Sequence, residues 1–575
     1  MRGQKKWVFP PPVDAGLQNQ LMDALDVPPV IAKILLQRGW NTPEKAHQFL
    51  NPSLESLHDP FLMKDIAIAA NRLAKALQNK ERIMVYGDYD VDGITGTSLL
   101  LSVLRRLGGD VDFYIPDRMN EGYGLSIEGI RQALRDGISL IVTVDCGIRA
   151  TDEAKFAEKV GIDMIVTDHH EPGENPVEAL AVINPKQTDD TYPFTDLCGA
   201  GVAFKLLCAV TRVMNKPLQI VFDYLDIVAL GTISDIVPLV DENRVIAHYG
   251  LRLINTSPRV GLKALIHVAG LKQRRIGSSE IVFNLAPRIN AGGRIGDAKR
   301  GVELLMATTY SHALKIANGL DAENKRRQNI DETIYEDAKR MVEEMYDIEH
   351  TRGLVLASEE WHAGVIGIVA SRLVEKYYRP TVLISIDPET GAGKGSSRSI
   401  PTFHLYEAMV QCSDLLDEFG GHQHAAGLTI RKERIHAFRE RFNAVATNAL
   451  TPEDLIPHLE VVGEVTLDDV INGKLYVYLK QFAPFGPQNM RPVLVTRRVD
   501  VVGTPRIVGR NHLKFTVGQG DVTLEIIGFG FGTIALVDEL TYARPKLDIA
   551  YVVEENRWHG RITLQGRLKD LKFSE

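Results

Sequence analysis

The sequence predicts an α/β protein in which two α/β domains are joined by a long helix and followed by an OB-like β-barrel. In two parts of the chain, short β-branched runs alternate with helix-length segments, as in buried parallel sheets. Between those parts, residues 311–346 contain no proline and a single glycine, which is typical of a long helix. From about residue 483, short alternating runs follow one another closely, as in a small barrel.

The length of the chain, 575 residues, indicates several domains, because a single hydrophobic core does not grow to this size. We expect a proline-rich lead-in, a first α/β domain, a connector helix, a second α/β domain and a barrel. The predicted bounds of these five segments are 1–60, 61–310, 311–349, 350–452 and 453–575.

In the first α/β domain, three apolar runs each stop on an acidic residue. One leads into Gly-Asp-Tyr-Asp-Val-Asp-Gly at 87–93, the second into Asp145 and the third into Asp-His-His at 168–170. If these runs are neighbouring parallel strands, their polar ends meet at the carboxyl edge of one sheet. Open α/β sheets bind their ligands at that edge.

Carboxylates this close together repel one another unless cations neutralise them. Oxygen ligands with one or two imidazoles suit Mg²⁺ or Mn²⁺, and a carboxylate-rich pair of such ions is typical of phosphoester hydrolysis. Asp235 is either a helix cap or a further oxygen ligand. One of the two adjacent histidines can bind metal while the other contacts the phosphate or transfers a proton. The candidate metal ligands are Asp88, Asp90, Asp92, Asp145, Asp168, His169, His170 and Asp235, and those with a predicted catalytic role are Asp145, Asp168, His169 and His170.

Two glycine-rich segments of the second α/β domain are candidate anion sites. Gly391–Ser399 contains small residues, hydroxyls and Arg398 but lacks the residue order of a P-loop, so it is either an anion cradle or a linker turn. Gly420–Gly427 displays His422 between glycines and is either a close approach to a ligand or a C-capped helix end.

Three residues of the first domain are further candidates for contact with a phosphate or a base. Arg288 lies in Pro-Arg-Ile-Asn-Ala-Gly-Gly-Arg, and Arg118 and Tyr123 lie in the segment between residues 116 and 124. We expect both segments to be glycine-rich loops, which suit phosphate contact and base stacking.

Composition limits the class of protein without identifying it. The net charge is −8, but residues 491–575 carry 13 Lys and Arg against 10 Asp and Glu, so any nucleic-acid binding must use local basic patches. No apolar run is long enough to span a membrane. The four cysteines form no Cys-x-x-Cys pair, so we expect a cytoplasmic protein without structural zinc.

Asp-His-His, with Gly-Asp-Tyr-Asp-Val-Asp-Gly before it and Gly-Gly-His-Gln-His-Ala-Ala-Gly after it, resembles the motifs of the DHH–DHHA1 phosphoesterases. The barrel and Pro-Arg-Ile-Asn-Ala-Gly-Gly-Arg narrow the resemblance to the family's bacterial single-strand-specific DNA exonucleases. The resemblance implies a DHH domain followed by a DHHA1 domain and an OB-like barrel that binds nucleic acid. It also implies 5′→3′ degradation of single-stranded DNA to 5′-mononucleotides by two-metal phosphodiester hydrolysis, in DNA repair and recombination.

The same resemblance implies cofactors, partners and residue roles. The cofactor is Mn²⁺ or Mg²⁺, two ions per site, and the partners are single-stranded DNA and single-strand-binding protein, with no membrane. It assigns Ser396, Arg398 and Arg288 to the terminal 5′-phosphate, and Arg118 and Tyr123 to the strand beyond the scissile bond. With His422, these are the candidate substrate-binding residues, while the assignment of each ligand to each ion stays open.

Two other functions remain compatible with the motifs. A small-molecule phosphoesterase would hydrolyse an oligonucleotide, a cyclic dinucleotide or pyrophosphate, but it needs no additional barrel. A non-catalytic single-strand-binding protein would keep the barrel, but it has no need of five carboxylates.

Overall fold

The structure is a computed structural model that describes residues 5–117, 121–122, 124–473, 475–558 and 561–574. The chain divides into two compact units, named here by their positions along the sequence. The central unit comprises His47–Lys325 and Gln481–Met490. The flanking unit comprises Met1–Ala46, Arg326–Lys480 and Arg491–Glu575. The five segment bounds predicted from the sequence stay a prediction.

The strands of the described residues are numbered in chain order. They are β1 (Lys6–Val8), β2 (Arg82–Gly87), β3 (Asp110–Tyr114), β4 (Leu140–Val144), β5 (Asp163–Thr167), β6 (Ala181–Ile183), β7 (Leu354–Ser358), β8 (Thr381–Ile386), β9 (Ala392–Arg398), β10 (Glu418–Gly421), β11 (Ala425–Arg431), β12 (His458–Glu460), β13 (Gly463–Glu464), β14 (Leu494–Val508), β15 (His512–Gln519), β16 (Val522–Gly528), β17 (Leu547–Trp558) and β18 (Arg561–Phe573).

The α-helices of the described residues are numbered in the same way. They are α1 (Ala15–Leu25), α2 (Pro29–Gln37), α3 (Pro43–Leu50), α4 (Ile66–Asn79), α5 (Val91–Arg106), α6 (Ile127–Arg135), α7 (Thr151–Lys159), α8 (Gly199–Val213), α9 (Gln219–Phe222), α10 (Leu225–Ser234), α11 (Asp241–Thr256), α12 (Val260–Val268), α13 (Ser278–Glu280), α14 (Ala286–Ile295), α15 (Lys299–Met306), α16 (Tyr310–Met345), α17 (Ile366–Tyr377), α18 (Leu405–Val410), α19 (Ile435–Ala449), α20 (Leu467–Ile471), α21 (Leu475–Gln481) and α22 (Ile534–Asp538). Short 3-10 turns span Leu54–Ser56, Pro60–Leu62, Ser413–Leu415, Lys432–Arg434 and Glu453–Leu455, and π-helical turns span Ile281–Leu285 and Glu539–Ala543. None of the described helices is long and apolar enough to cross a bilayer.

The central unit contains a parallel sheet with the strand order β3-β2-β4-β5-β6. Its strands are apolar on both faces because helices cover both sides. Ile83 and Val85 face the core that includes α5 and α8, whereas Met84 and Tyr86 face the core that includes α6 and α7. Each fully buried aliphatic side chain contributes roughly 1.5–3 kcal/mol. The predicted parallel arrangement of β2, β4 and β5 is confirmed.

The strand order reverses between β2 and β4. The chain leaves β2 toward its neighbour β3 on one side, whereas β4 leads to β5 on the other. A crevice forms at such a reversal, outside the carboxyl ends of the two strands. Asp88 follows β2 and Asp145 follows β4, so the topology places both residues at this point.

The flanking unit contains a mixed sheet with the order β10-β11-β9-β8-β7. Strand β9 is its middle strand and is hydrogen-bonded on both sides. Gly391–Ser399 is therefore largely a strand and not a linker turn, and Gly420–Gly427 forms the β10–β11 hairpin instead of a helix end. Small residues occur in β9 because its neighbours are close: a Cβ on Gly395 would lie 2.7 Å from Leu428 Cδ1.

The 36-residue helix α16 begins in the central unit and ends in the flanking unit. At a rise of 1.5 Å per residue it is about 54 Å long. It matches the predicted connector helix at 311–346 to within one residue at each end.

The last part of the chain forms a closed barrel. Its strands follow the order β14-β15-β16-β18-β17, and pairing of β17 with β14 closes the ring. All neighbouring pairs are antiparallel except β16 and β18, which are parallel. A closed five-stranded barrel of this kind is an OB fold, so the predicted fold class is confirmed.

Candidate metal centre

The first acidic motif lies in the turn between β2 and α5. Asp90 is the N-cap of α5, and its Oδ1 accepts hydrogen bonds from the backbone N–H groups of Asp92 (2.8 Å) and Gly93 (3.1 Å). Asp88 and Asp92 are buried, with 2% and 1% of their surface exposed. The turn therefore presents carboxylates at a helix N-terminus, where the helix dipole favours negative charge.

Asp92 is held by a second helix N-terminus. Its two carboxylate oxygens accept hydrogen bonds from the N–H groups of Gly199 (2.5 Å) and Ala200 (3.0 Å), in the first turn of α8. Burial, together with the nearby charge of Asp90, nevertheless raises the pKa of Asp92 to about 6.

Asp145 and Asp168 follow the neighbouring strands β4 and β5. Asp145 adopts a left-handed backbone conformation (φ 63°), which turns the chain sharply at the sheet edge. The Asp168 carboxylate accepts hydrogen bonds from the N–H groups of Ile148 (2.9 Å), His169 (2.7 Å) and His170 (3.1 Å). Burial opposes ionisation of Asp168, but its hydrogen bonds and the nearby imidazoles hold its pKa below the usual value.

His169 directs one ring nitrogen at three carboxylates. Its Nε2 lies 3.0 Å from Asp145 Oδ1, 3.7 Å from Asp92 Oδ2 and 3.7 Å from Asp235 Oδ2. Burial lowers the pKa of His169 to about 3, so the ring is neutral, and it hydrogen-bonds to the Leu197 carbonyl. Nε2 is buried and has no hydrogen-bond partner within the described part of the chain. Its lone pair therefore faces oxygen lone pairs, an arrangement that a cation stabilises.

His170 is more exposed and is oriented by Asp168. Its Nδ1 lies 2.8 Å from Asp168 Oδ1 and 3.9 Å from Asp145 Oδ1, and 45% of its side chain is exposed. Although burial opposes protonation, the Asp168 carboxylate raises the pKa of His170 above its usual value. The two adjacent histidines thus have different environments.

Asp235 ends α10 and completes the cluster from the opposite side. Burial, followed by the charges of Asp92 and Asp90, raises its pKa well above the usual value. Burial and the neighbouring carboxylates have the same effect on the pKa of Asp145. These shifts indicate a surplus of negative charge, which a divalent cation removes.

The potential ligand atoms form three overlapping groups, and within each group they lie within 4.8 Å of one another. Two groups share Asp145 and two share His169, and the donors are carboxylate oxygens and imidazole nitrogens, which fit Mn²⁺ or Mg²⁺. Among the described residues, Asp168 belongs to none of the groups. The groups are Asp88, Asp90 and Asp145; Asp92, His169 and Asp235; and Asp145, His169 and His170.

Arg288 lies on helix α14, not on the predicted loop. Its Nε donates to Asp321 Oδ1 (2.9 Å) and its Nη1 to the carbonyl of Asn284 (2.6 Å). Two residues further along α14, Asn290 Oδ1 accepts from the N–H of Val91 (3.1 Å) in the acidic turn. The helix therefore packs on the metal-ligand turn, and an acidic partner fixes the Arg288 guanidinium.

Ser396 and Arg398 lie on the same face of β9 in the flanking unit. The Arg398 guanidinium donates to Ser396 Oγ (3.3 Å) and to the carbonyl of Ser397 (2.7 Å), and burial lowers its pKa. Gly367, in the first turn of α17, leaves space here, because a Cβ would lie 2.8 Å from Ser396 Oγ. An arginine and a hydroxyl beside a helix N-terminus suit an anion.

His422 lies at the tip of the β10–β11 hairpin. Its N–H donates to the carbonyl of Ala425 (2.9 Å), and its ring centroid is 6.1 Å from that of His424. Burial, and then the charges of His424 and Arg398, lower its pKa. The flanking unit therefore brings His422 into the electrostatic environment of Arg398.

Two candidate substrate residues, Arg118 and Tyr123, lie outside the described residues. The supporting residues Gly199, Asn290 and Gly367 were not predicted from the sequence. Cys-Gly-Ala-Gly at 198–201 resembles an ordinary flexible segment, and only the tertiary fold brings its N–H groups to Asp92.

Three family models match the chain. The DHH family, N-terminal domain, matches residues 82–232; the DHHA1 domain matches residues 350–448; and the RecJ OB domain matches residues 463–570.

Known relatives match the chain over its length. It is 39% identical to the single-stranded-DNA-specific exonuclease RecJ of Bacillus subtilis (strain 168), covering 100% of this chain and 72% of that protein. It is 33% identical to the exonuclease of the same name from Escherichia coli (strain K12), covering 94% of this chain and 95% of that protein. The crystal structure of RecJ in complex with Mn²⁺ from Thermus thermophilus has a similar fold, with a TM-score of 0.84 and 31% identity over 100% of this chain and 80% of that one.

Proposed function

The chain belongs to the RecJ family of single-stranded-DNA-specific exonucleases, and on that premise we propose that it is a metal-dependent 5′→3′ exonuclease. It hydrolyses single-stranded DNA to 5′-mononucleotides at the carboxyl edge of the central sheet. The observation that carries this function is the overlap of three ligand groups on Asp145 and His169. Shared ligands would hold two divalent cations close together, as in two-metal hydrolysis.

The carboxylates at this edge and the His169 imidazole hold Mn²⁺ or Mg²⁺ in our proposal. When bound, the ions supply Lewis-acid stabilisation of the charge that develops on the phosphate and make water a better nucleophile. Asp168 stays a proposed ligand, and it also orients His170 through the 2.8 Å contact between them. His170, which is partly exposed, contacts the phosphate or moves a proton.

We assign the terminal 5′-phosphate to Ser396, Arg398 and His422 in the flanking unit. The support is the Arg398 guanidinium beside the Ser396 hydroxyl and the first turn of α17. Arg288 stays a proposed phosphate contact, and Arg118 and Tyr123 stay proposed contacts to the strand beyond the scissile bond.

The barrel binds the incoming single strand in this proposal. Its sequence, residues 491–575, carries 13 Lys and Arg against 10 Asp and Glu, and OB folds bind single strands by electrostatics and stacking. Action beside single-strand-binding protein, in the cytoplasm and in DNA repair and recombination, is proposed from the family resemblance alone.

The alternative candidate is a small-molecule phosphoesterase. A comparison of hydrolysis rates on single-stranded DNA, duplex DNA, a cyclic dinucleotide and pyrophosphate, all with Mn²⁺, separates the two functions. We expect rapid release of mononucleotides from single-stranded DNA and little hydrolysis of the other three substrates. Faster hydrolysis of the cyclic dinucleotide or of pyrophosphate would favour the alternative, and binding of DNA without hydrolysis of any substrate would indicate a non-catalytic protein.

A further inference from the structure

The first turn of α11 contains three consecutive buried polar residues that the proposed chemistry does not use. Glu242, Asn243 and Arg244 are each at most 2% exposed. Successive residues of a helix point about 100° apart, so each of them reaches a different neighbour. Burial of polar groups costs free energy, which the hydrogen bonds that they make offset.

Asn243 joins two backbone segments that are distant in sequence. Its Nδ2 donates to the carbonyl of Asp196 (2.6 Å) and to the carbonyl of Pro238 (3.0 Å). A single amide group therefore sets the distance between the segment before α8 and the segment after α10.

Each of these segments is directly connected to a proposed metal ligand. Pro238 lies three residues after Asp235. On the other side, the residue that follows Asp196 is Leu197, whose carbonyl hydrogen-bonds to the ring of His169. Asp235 and His169 belong to the same ligand group, with Oδ2 and Nε2 3.7 Å apart. The Asn243 amide thus links the backbone behind one ligand to the backbone behind the other.

Arg244 fixes a third segment, Gln481–Met490, against the turn that follows Asp235. Its guanidinium donates to backbone carbonyls of the central unit, namely those of Phe49 (2.8 Å), Gln481 (2.8 Å) and Phe482 (2.7 Å). Within the segment so held, Pro487 accepts a hydrogen bond from the N–H of Leu239 (2.9 Å). Gly486 lies against the Leu239 side chain, where a Cβ would be 2.6 Å from Cδ1.

The turn that follows Asp235, between α10 and α11, has a strained backbone. Ile236, directly after Asp235, adopts a left-handed conformation with φ 61°, and 58% of its surface is exposed. A β-branched residue keeps this conformation only where its surroundings hold it. The contacts made by Asn243 and by the Gln481–Met490 segment provide that restraint.

We propose that Asn243 and Arg244 are positioning residues that hold Asp235 and His169 at the separation a shared cation requires. The inference rests on the proposed metal-ligand set and adds to it the residues that preorganise it. Loss of either contact lets the turn at Ile236 relax, so that Asp235 moves and the cation binds more weakly.

The test compares the Mn²⁺ affinity of two full-length variants, measured from the electron paramagnetic resonance signal of free Mn²⁺. Asn243→Ala removes the two bonds described above. The matched control is Asn255→Ala on the same helix, which removes bonds to the carbonyls of Leu251 (2.7 Å) and Ile276 (2.8 Å) and the bond that its Oδ1 accepts from the N–H of Ile276 (2.8 Å). Asn255 lies 12 residues further along α11, about 18 Å away. We expect Asn243→Ala to weaken Mn²⁺ binding about 10- to 100-fold, as losses of supporting hydrogen bonds do, and Asn255→Ala to leave it unchanged.

Gly486→Ala provides a second variant if Asn243→Ala does not fold. It adds one methyl group against Leu239 in a partly exposed segment, and we expect a smaller loss of Mn²⁺ affinity in the same direction. Wild-type affinity in Gly486→Ala and in a folded Asn243→Ala, or an equal loss in Asn255→Ala, would overturn the positioning role. Asp235→Ala separates this failure from that of the ligand set: if it too binds Mn²⁺ like the wild type, the proposed ligands themselves are wrong.

Discussion

Asp145 lies where two of the three ligand groups meet, and it is almost fully buried. Burial and four neighbouring carboxylates raise its pKa well above the usual value. A carboxylate in this environment is ionised only with a compensating cation close by. At the scale of single residues, the site therefore couples proton binding to metal binding.

This coupling predicts a pH dependence of stability. In the metal-free protein, the raised pKa of Asp92, about 6, means that the folded state keeps a proton that the unfolded chain loses near its ordinary pKa. Protonation of Asp92 therefore increases the free energy of unfolding of the metal-free protein as the pH falls through about 6. Mn²⁺ must displace this proton in order to bind.

We expect the increase in melting temperature caused by saturating Mn²⁺ to shrink as the pH falls from about 8 to about 5. Thermal unfolding with and without Mn²⁺ across this pH range measures the increase in melting temperature. An increase that stays constant over the whole range would show that proton binding and metal binding are not coupled.

Arg398→Ala tests the proposed phosphate pocket. Hydrogen bonds to charged groups contribute roughly 1.5–3 kcal/mol, so we expect kcat/KM on 5′-phosphorylated strands to fall about 10- to 100-fold, with little change on 5′-hydroxyl strands. Lys394→Ala, an exposed cation on the same strand, serves as the control and should change neither rate. Equal losses on both kinds of end would exclude the pocket role.

Most of the proposed metal ligands could be predicted as residues because they follow recognisable buried strands, whereas Asp235 lies at the end of helix α10 and has no such signal. Their supporting residues could not. Asn243 lies in an unremarkable helix start, and its partners Asp196 and Pro238 are 47 and 5 residues away in sequence. Only the packed fold shows that one amide reaches both.

At the scale of elements, helix α8 must approach the end of β4 closely to donate to Asp92. Gly199 permits this approach, because a Cβ there would lie 2.6 Å from Asp145 Cβ and 2.9 Å from its Cα. The approach is a backbone requirement and does not depend on the chemistry of any side chain of α8.

Gly199→Ala should therefore displace α8 or Asp145 and lower Mn²⁺ affinity at least about tenfold. Gly201→Ala, in the same helix turn, is the control, since its Cβ would meet nothing closer than 3.3 Å. Titration calorimetry with Mn²⁺ on both variants distinguishes them, and equal affinities would refute the packing argument.

Among the elements, the parallel strands and the long helix could be predicted from periodicity and the absence of breakers. The strand formed by the segment Gly391–Ser399 could not be predicted, because the glycines and serines of this segment are typical of loops. In the structure, Gly393 and Gly395 are required by the close side chains of Ile384 and Leu428. Tertiary packing here overrides local composition.

At the scale of the whole molecule, the order of domains could be predicted from changes in the pattern of apolar residues along the sequence, and the barrel closes as an OB fold. The position of Gln481–Met490 in the central unit could not be predicted from the sequence. This segment precedes the barrel strand β14 in sequence, yet it folds into the central unit through Arg244 and Leu239. Such long-range docking leaves no periodic signal in the sequence.

In the function proposed here, the carboxyl edge of the central sheet hydrolyses single-stranded DNA from its 5′ end. The most direct measurement is a time course with Mn²⁺ on DNA labelled at the 5′ or the 3′ end, for the wild type, Asp145→Asn and Asp163→Asn. Asp163 begins β5 at the opposite edge of the sheet and is ion-paired to Arg72 (2.7 Å), so its variant is the matched control. We expect early release of labelled mononucleotide from the 5′ end, a rate at least about 10²-fold lower in Asp145→Asn, and no change in Asp163→Asn. Release first from the 3′ end would exclude the proposed polarity, and an undiminished rate in Asp145→Asn would exclude the proposed active site.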